Sequence, residues 1–309
     1  MNQSLPQVSR VYQNHHLDST RWDAFTPRKD DIIIATSYKS GTTWMQTIVL
    51  NLIFGSKNVP STIQTSRWLD NRSIPIQDVV DQFESQKHRR VIKTHLPLDG
   101  LPFYPALKYI VIGRDGRDVF MSLWNHYKNY TPEGYAKFND APNRVGGPVP
   151  QCPEDIRIFY SNWINRGWFD GDTEGYPFWS NFRHTQTWWN YRHLPNIHFV
   201  HFKDLLNDLY GEVKRVADFL EISVSGSELA DVVEAATFKT MKKNAEHIYP
   251  DASGFVGGAQ TFINKGTNGR WQSFMGEEEI DLYEDAVARE LTLECALWLE
   301  FGRWQDQRG

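Results

Sequence analysis

Four short apolar runs, each closed by polar residues, set the rhythm of the chain. Ile32 to Ala35 is continuously apolar, the pattern of a strand buried on both faces. Past a polar loop, Trp44, Met45, Ile48, Val49, Leu52 and Ile53 recur at helical spacing, which predicts a helix running to about Phe54. Val91 to Thr94 predicts a second strand, closed by His95 and Pro97. Tyr109 to Gly113 predicts a third, followed by a helix from Asp115 to about Asn129. Ile197 to Phe202 predicts a fourth, and the helix after it carries Leu205, Leu206, Leu209, Val213, Val216, Ala217 and Leu220. Further helices are expected near 227–236 and 277–300. Strands alternating with helices imply an α/β fold with a mostly parallel sheet covered on both faces.

Three stretches stand outside this rhythm. Residues 1–28 have little periodicity and read as an N-terminal arm. Residues 130–185 are rich in Gly, Pro and aromatics, and residues 239–270 in Gly, Lys and Asn. Long irregular segments within a compact domain commonly serve as lids, and the aromatic content favours that reading here.

Composition narrows the classes. With 309 residues, 40% of them hydrophobic, the chain can bury a large core. A formal charge of −5 argues against a general nucleic-acid binder, so any anion site must be a local concentration of positive charge. The first thirty residues are polar with an early proline, unlike a secretory signal, and no stretch approaches the roughly 18–20 apolar residues that span a bilayer. Two cysteines, Cys152 and Cys295, are too few for a disulfide framework and suit a reducing cytosol. A cytoplasmic protein with no membrane partner is expected.

Ligands of open parallel sheets bind beyond the carboxyl ends of the strands. Three polar clusters lie at such ends: Lys39-Ser40-Gly41-Thr42-Thr43, then Lys93-Thr94-His95, then Arg114 with Ser122 two turns further along its helix. The first combines a helix N-terminus, a lysine and three hydroxyls, which suits a tetrahedral oxyanion. It is not a Walker A loop, because Ala35 stands where the first glycine belongs. His95, at a strand end beside Lys93, is a candidate general base, since histidine titrates near neutrality. No metal cluster is evident: His15-His16 lies in the arm, and neither CxxC nor HExxH occurs. The absence of G-x-S-x-G disfavours an α/β-hydrolase.

These clusters together resemble the cytosolic-type sulfotransferases, which use 3′-phosphoadenosine 5′-phosphosulfate (PAPS) and release 3′,5′-ADP (PAP). The family's TYPKSGTTW donor loop appears as TSYKSGTTW from Thr36 to Trp44, and its KTHLP is unchanged at Lys93 to Pro97. Its arginine and serine for the 3′-phosphate match Arg114 and Ser122, and its RKGxxGDW box appears altered from Asn264 to Trp271. The resemblance implies a single three-layer α/β/α domain over 29–309, P-loop-kinase-like, with the donor loop directly after the first strand. It implies a catalytic set of His95 as general base, Lys39 at the bridging oxygen, Lys93 at the sulfuryl oxygens, and Ser122. It further implies Lys39, Ser40, Gly41, Thr42 and Thr43 on the 5′-phosphate, and Trp44, Phe202, Thr237 and Phe238 about the adenine. Arg114, Ser122, Asn264, Lys265 and Gly266 would serve the 3′-phosphate. No metal is implied. The acceptor would be a small molecule offering a hydroxyl or an amine, with an aromatic or apolar alcohol in view.

Departures from the family pattern carry their own expectations. Tyr38 replaces the loop's proline and should loosen the turn, and Phe202 replaces an adenine-contacting tyrosine. Asn264 replaces the arginine of the final box, where Arg270 replaces an aspartate. The family's dimer motif, KxxxTVxxxE, is absent after that box, so a monomer or a dimer built on another surface is expected. Trp163, Trp168, Phe169, Tyr176, Phe178 and Trp179 either line an apolar acceptor pocket or pack their segment down. Two rivals stay open: a nucleotide phosphotransferase with Asp115 on magnesium, and a non-catalytic PAPS-binding protein.

Overall fold

In the computed structural model, which describes residues 4–303 apart from residue 143, the four apolar runs pair as one all-parallel sheet. The strands are β1 (Ile32–Thr36), β2 (Val91–Thr94), β3 (Lys108–Gly113) and β4 (Ile197–His201), in the order β2-β1-β3-β4. Ile33 of β1 lies opposite Ile92 of β2 and Tyr109 of β3. From β1 the chain first moves outward to β2, then crosses back to β3. The crevice between the ends of β1 and β3 is therefore the topological switch point, where such sheets bind ligands.

Strand residues alternate between faces, and each face has its own core. Ile33, Ala35, Ile92, Tyr109 and Val111 pack with Phe83, Phe120, Trp163 and Trp188. Ile32, Ile34, Ile110, Ile112 and Val200 pack with Met45, Ile48, Val213, Val216 and Val232, contributed by the helices Thr42–Phe54, Leu209–Phe219 and Gly226–Ala235. Both faces are covered, which explains the apolar runs of β1 and β3.

Two long helices expected from the sequence are each broken once. The helix after β4 divides into Phe202–Asn207 and Leu209–Phe219 at Asp208, whose carboxylate accepts from the Gly211 N–H and caps the second piece. Phe202 accordingly starts a helix instead of ending a strand. The last helix divides into Glu277–Glu290 and Leu293–Phe301, and the intervening Thr292 N–H donates to Gln186 Oε1 at 2.8 Å.

The N-terminal residues are built into the body. Tyr12, Leu17 and Trp22 are at most 1% exposed, and Ser19–Ala24 forms a 3₁₀ helix. Asn14 Oδ1 accepts from the backbone N–H groups of His16 and Leu17, and the turn it fixes buries both His15 and His16. Segments 130–185 and 239–270 are only partly irregular, holding the helices Pro132–Asn139, Ile156–Asn165, Phe238–Lys243, Ala245–Ile248 and Gly258–Phe262. They are stitched to one another: Thr131 N–H donates to Gly254 C=O at 3.0 Å, Lys137 pairs with Asp251 at 3.0 Å, and Tyr130 bridges Phe255.

Candidate active site

Beyond β1 the chain must turn sharply to start the Thr42–Phe54 helix. Two residues in the left-handed region make the turn, Lys39 at φ +58° and Gly41 at φ +117°. A side chain at Gly41 would also press on Phe202, its Cβ 3.1 Å from the ring, so glycine belongs after the lysine. Gly41 is the N-cap and offers no capping side chain, leaving the first N–H groups of the helix for another acceptor. Lys39 itself reaches His126 Nδ1 at 3.3 Å and lies 4.8 Å from the centroid of the Phe262 ring.

Tyr38 does not loosen this turn. Its ring is buried, edge-on to Trp179 at 5.3 Å, and its hydroxyl accepts from Trp163 Nε1 at 2.7 Å. Side-chain anchorage takes over the role of the rigid proline. Tyr38→Phe should therefore leave a buried indole N–H unpaired and cost about 1–3 kcal/mol, to be read from urea unfolding.

At the end of β2, the neutral His95 ring donates from Nδ1 to the Thr36 carbonyl at 2.7 Å, which leaves Nε2 as a bare acceptor. Trp68 meets the ring edge-on at 4.6 Å and Trp179 lies tilted at 5.5 Å. Burial, reinforced by Lys93, holds His95 well below the usual histidine range, so it is neutral at physiological pH. Buried Asp70 braces the same strand end, accepting from the His95 backbone N–H at 3.2 Å and from Trp68 Nε1 at 2.7 Å. Lys93 Nζ lies 4.7 Å from the centroid of the Trp68 ring and is lowered to about 8 by burial, against the pull of Asp70. Lys39 is lowered to about 7 by burial and by repulsion from Lys93 and Arg114.

At the end of β3, Arg114 spends its donors on neutral oxygens: Lys39 C=O at 3.1 Å, Thr267 C=O at 2.8 Å and Asn268 Oδ1 at 3.0 Å. Its guanidinium lies over Phe202, 4.1 Å from the ring centroid. The nearby carboxylates are engaged elsewhere. Asp115 caps its own helix and pairs with Arg117 at 2.7 Å, and Asp118 accepts from the Gly269 N–H at 2.8 Å. Asp115 is thus not free to hold magnesium. Among the described residues Arg114 makes no direct ion pair; burial lowers it to about 10 against the pull of Asp118 and Asp115, so an anion would be a favourable partner.

One cavity of about 500 Å³ joins these groups. Lys39, Gly41, Thr42, Thr43, Trp44, Lys93, His95, Arg114, Ser122, Phe202, Phe238, Asn264, Lys265 and Gly266 all line it. Gly266, at φ +63°, lies so close under Phe238 that a Cβ would come within 2.4 Å of the ring. Trp44 is fixed by donation from Nε1 to Ala236 C=O at 2.8 Å. Two expected residues are not in the lining. The Ser40 hydroxyl donates back to Tyr38 C=O at 3.3 Å, and Thr237 caps the Phe238–Lys243 helix by accepting from the Thr240 N–H at 3.2 Å.

Of the six aromatics of the 130–185 segment in question, Phe178 and Trp179 line the cavity and the others pack. Trp163 binds Tyr38, Trp168 stacks on Tyr176 with centroids 5.7 Å apart, and Phe169 abuts Tyr12 at 5.0 Å. The wall also includes residues that sequence reasoning missed, among them His16, Trp68, Tyr130, Phe138 and His126. Only His126 carried a signal, since it stands four residues beyond Ser122 and so on the same side of the helix. Among the described residues there is no group of three or more His, Cys, Asp or Glu able to hold a metal ion. Nor is any helix among them long and apolar enough to cross a membrane.

A cation-lined pocket at the switch point of a parallel sheet, with a neutral histidine in its wall, has the make-up of a nucleotide-dependent group-transfer site. The chain belongs to the sulfotransferase family, whose sulfotransferase domain model matches residues 29–293. It is 32% identical to the glycolipid sulfotransferase of Mycobacterium bovis, over 98% of each chain, and 26% identical to human sulfotransferase 1E1, over 88% and 89%. Its fold is similar to that of mouse sulfotransferase SULT7A1 complexed with PAP, with a TM-score of 0.64, 22% identity and 88% of each chain covered. It is also similar to retinol dehydratase in complex with androsterone and PAP, with a TM-score of 0.65, 21% identity and 94% and 89% of the chains covered.

Proposed function

We propose that the protein moves the sulfuryl group of PAPS onto the hydroxyl of a small acceptor by in-line displacement, with His95 as the base. The observation that carries this reading is the state of His95: neutral, its Nδ1 tied to Thr36, its Nε2 lone pair bare, and two lysines on the same cavity wall. Nε2 takes the acceptor proton as the new S–O bond forms and the S–O bond to the 5′-phosphate breaks. Lys39 neutralises the charge that develops on the bridging oxygen, and Lys93 the charge on the sulfuryl oxygens. The helix start at Thr42 and Thr43 serves the 5′-phosphate. Trp44, Phe202 and Phe238 serve the adenine, while Arg114, Ser122, Lys265 and Gly266 serve the 3′-phosphate. The two stitched segments, 130–185 and 239–270, act as lids over the pocket. Two free cysteines fit a cytoplasmic setting.

The acceptor end of the cavity is walled by Trp68, Phe138, Phe178 and Trp179, which favours an acceptor with an apolar or aromatic body. The mycobacterial relatives are named for glycolipids, so the acceptor screen includes glycolipids with phenols, alcohols, amines and free glycans. Label from radioactive PAPS should appear on acceptors whose hydroxyl adjoins an apolar body. Transfer confined to free glycans would sink this assignment of the wall.

The missing arginine at Asn264 is compensated by Arg270, which lines the same cavity near enough to Arg114 to lower its pKa. Arg270→Ala should weaken binding of 3′,5′-ADP about tenfold, the equivalent of ~1.4 kcal/mol, and leave 5′-AMP nearly unchanged. Asn264→Arg should change little. Calorimetric titration of both variants with both nucleotides checks this, and equal losses for the two nucleotides would remove Arg270 from the 3′-phosphate site.

A further inference from the structure

Behind Lys39 runs a line of polar rings, half-buried at His126 and Tyr130 and buried at His16 and His15, that the proposed chemistry leaves unused. Lys39 Nζ meets His126 Nδ1 at 3.3 Å, and His126 Nε2 meets the Tyr130 hydroxyl at 3.3 Å. That hydroxyl meets His16 Nε2 at 3.4 Å, His16 Nδ1 meets His15 Nδ1, and His15 Nε2 meets the Pro177 carbonyl at 2.8 Å. We propose that His126 is a positioning residue for Lys39, its lone pair aimed at the ammonium by this chain of hydrogen bonds.

The direction of the chain follows from its far end. A proline carbonyl only accepts, so His15 must donate from Nε2 and present Nδ1 as an acceptor. His16 must then donate from Nδ1 and accept at Nε2, which obliges the Tyr130 hydroxyl to donate to His16. The tyrosine oxygen is left to accept from His126 Nε2–H. His126 Nδ1 is therefore bare, and it faces the Lys39 nitrogen, which has N–H protons to donate whether charged or neutral. Each ring has one assignment, and the last of them creates an acceptor for Lys39.

The protonation states agree with this geometry. Burial holds His126 and His16 well below the usual histidine range, so both are neutral, and burial raises Tyr130, so its hydroxyl keeps its proton. The chain is not a proton exit, because it stops at a carbonyl that cannot release a proton. Its effect is geometric. Lys39 is a long side chain on a left-handed backbone residue, and among the described residues it has no carboxylate to hold it. One hydrogen bond to His126 leaves two ammonium protons for the reacting oxygens.

The inference rests on the role proposed for Lys39, and the test separates the two. An asparagine side chain puts Oδ1 close to where histidine has Nδ1, whereas phenylalanine fills the space without an acceptor. His126→Phe should lower kcat about tenfold, ~1.4 kcal/mol, with KM for PAPS changed less than about threefold. His126→Asn should keep kcat within about threefold of the wild type. Tyr130→Phe, nearly the same shape, should fall between them because His126 loses its orienting acceptor. Binding of 3′,5′-ADP checks that each variant is folded. If Phe and Asn at 126 lower kcat equally, or if Tyr130→Phe has no effect, the chain does not position Lys39. A Lys39→Met variant that keeps wild-type kcat would overturn the underlying role of Lys39 as well.

Discussion

His95→Ala should reduce sulfuryl transfer by about 10²–10⁴-fold while leaving the affinity for 3′,5′-ADP nearly unchanged, the range typical of losing a general base. The split between chemistry and binding follows from position. His95 is fixed by the Thr36 carbonyl between Trp68 and Trp179, which are proposed to face the acceptor, whereas Arg114 and Lys265 are proposed to hold the nucleotide. The residue is neutral because burial and Lys93 disfavour its charge, so no deprotonation precedes catalysis. Single-turnover kinetics beside calorimetric titration measure the two quantities. A variant retaining more than about a tenth of wild-type kcat would remove His95 from the role of base.

Lys39→Met should lower kcat by about 10²–10³-fold, the loss typical of one preorganised donor at a developing negative charge. The same lysine has a signature in binding. Burial, Lys93 and Arg114 lower Lys39 to about 7, so at about pH 8 most of it is neutral before nucleotide arrives. A bound phosphate favours the charged form and raises the pKa above the solution pH, so protons are taken up as 3′,5′-ADP binds. Lys93, lowered to about 8, adds to this uptake. Titrations at about pH 8 in buffers of different ionisation enthalpy should report net uptake in the wild type and less in Lys39→Met. Proton release in the wild type, or identical uptake in both, would contradict the charge state assigned to this lysine.

The framework of the site was legible because its causes are local. β1 is buried throughout and β2 and β3 nearly so, which gives each an apolar run, and the polar residues that close the runs lie at the carboxyl end of the sheet. The spacing from Arg114 to Ser122 survives as a residue just before a helix and one two turns along, both lining one cavity. What the sequence concealed depends on distant contacts. Residues 12–25 show no periodicity because Asn14 and the Leu17–Asn71 bridge hold them, not a repeating apolar face. Apolar spacing continues across Asp208 and across Leu291-Thr292, so the helix breaks there are set by a capping carboxylate and by Gln186. Part of the cavity wall was hidden for the same reason: His16, Trp68 and Phe138 belong to three separate stretches brought together only by folding. Thr237, expected beside the adenine, is occupied in capping a helix.

Transfer of an intact sulfuryl group from PAPS to an acceptor hydroxyl is the reaction proposed for this cavity. The most direct measurement follows radiolabelled PAPS with the wild-type enzyme and with His95→Ala, with and without the acceptor panel. Label is expected on the acceptor, with one 3′,5′-ADP for each sulfated product and a loss of about 10²–10⁴-fold in the variant. Label released only as inorganic sulfate, at a rate indifferent to acceptor and to His95, would contradict it.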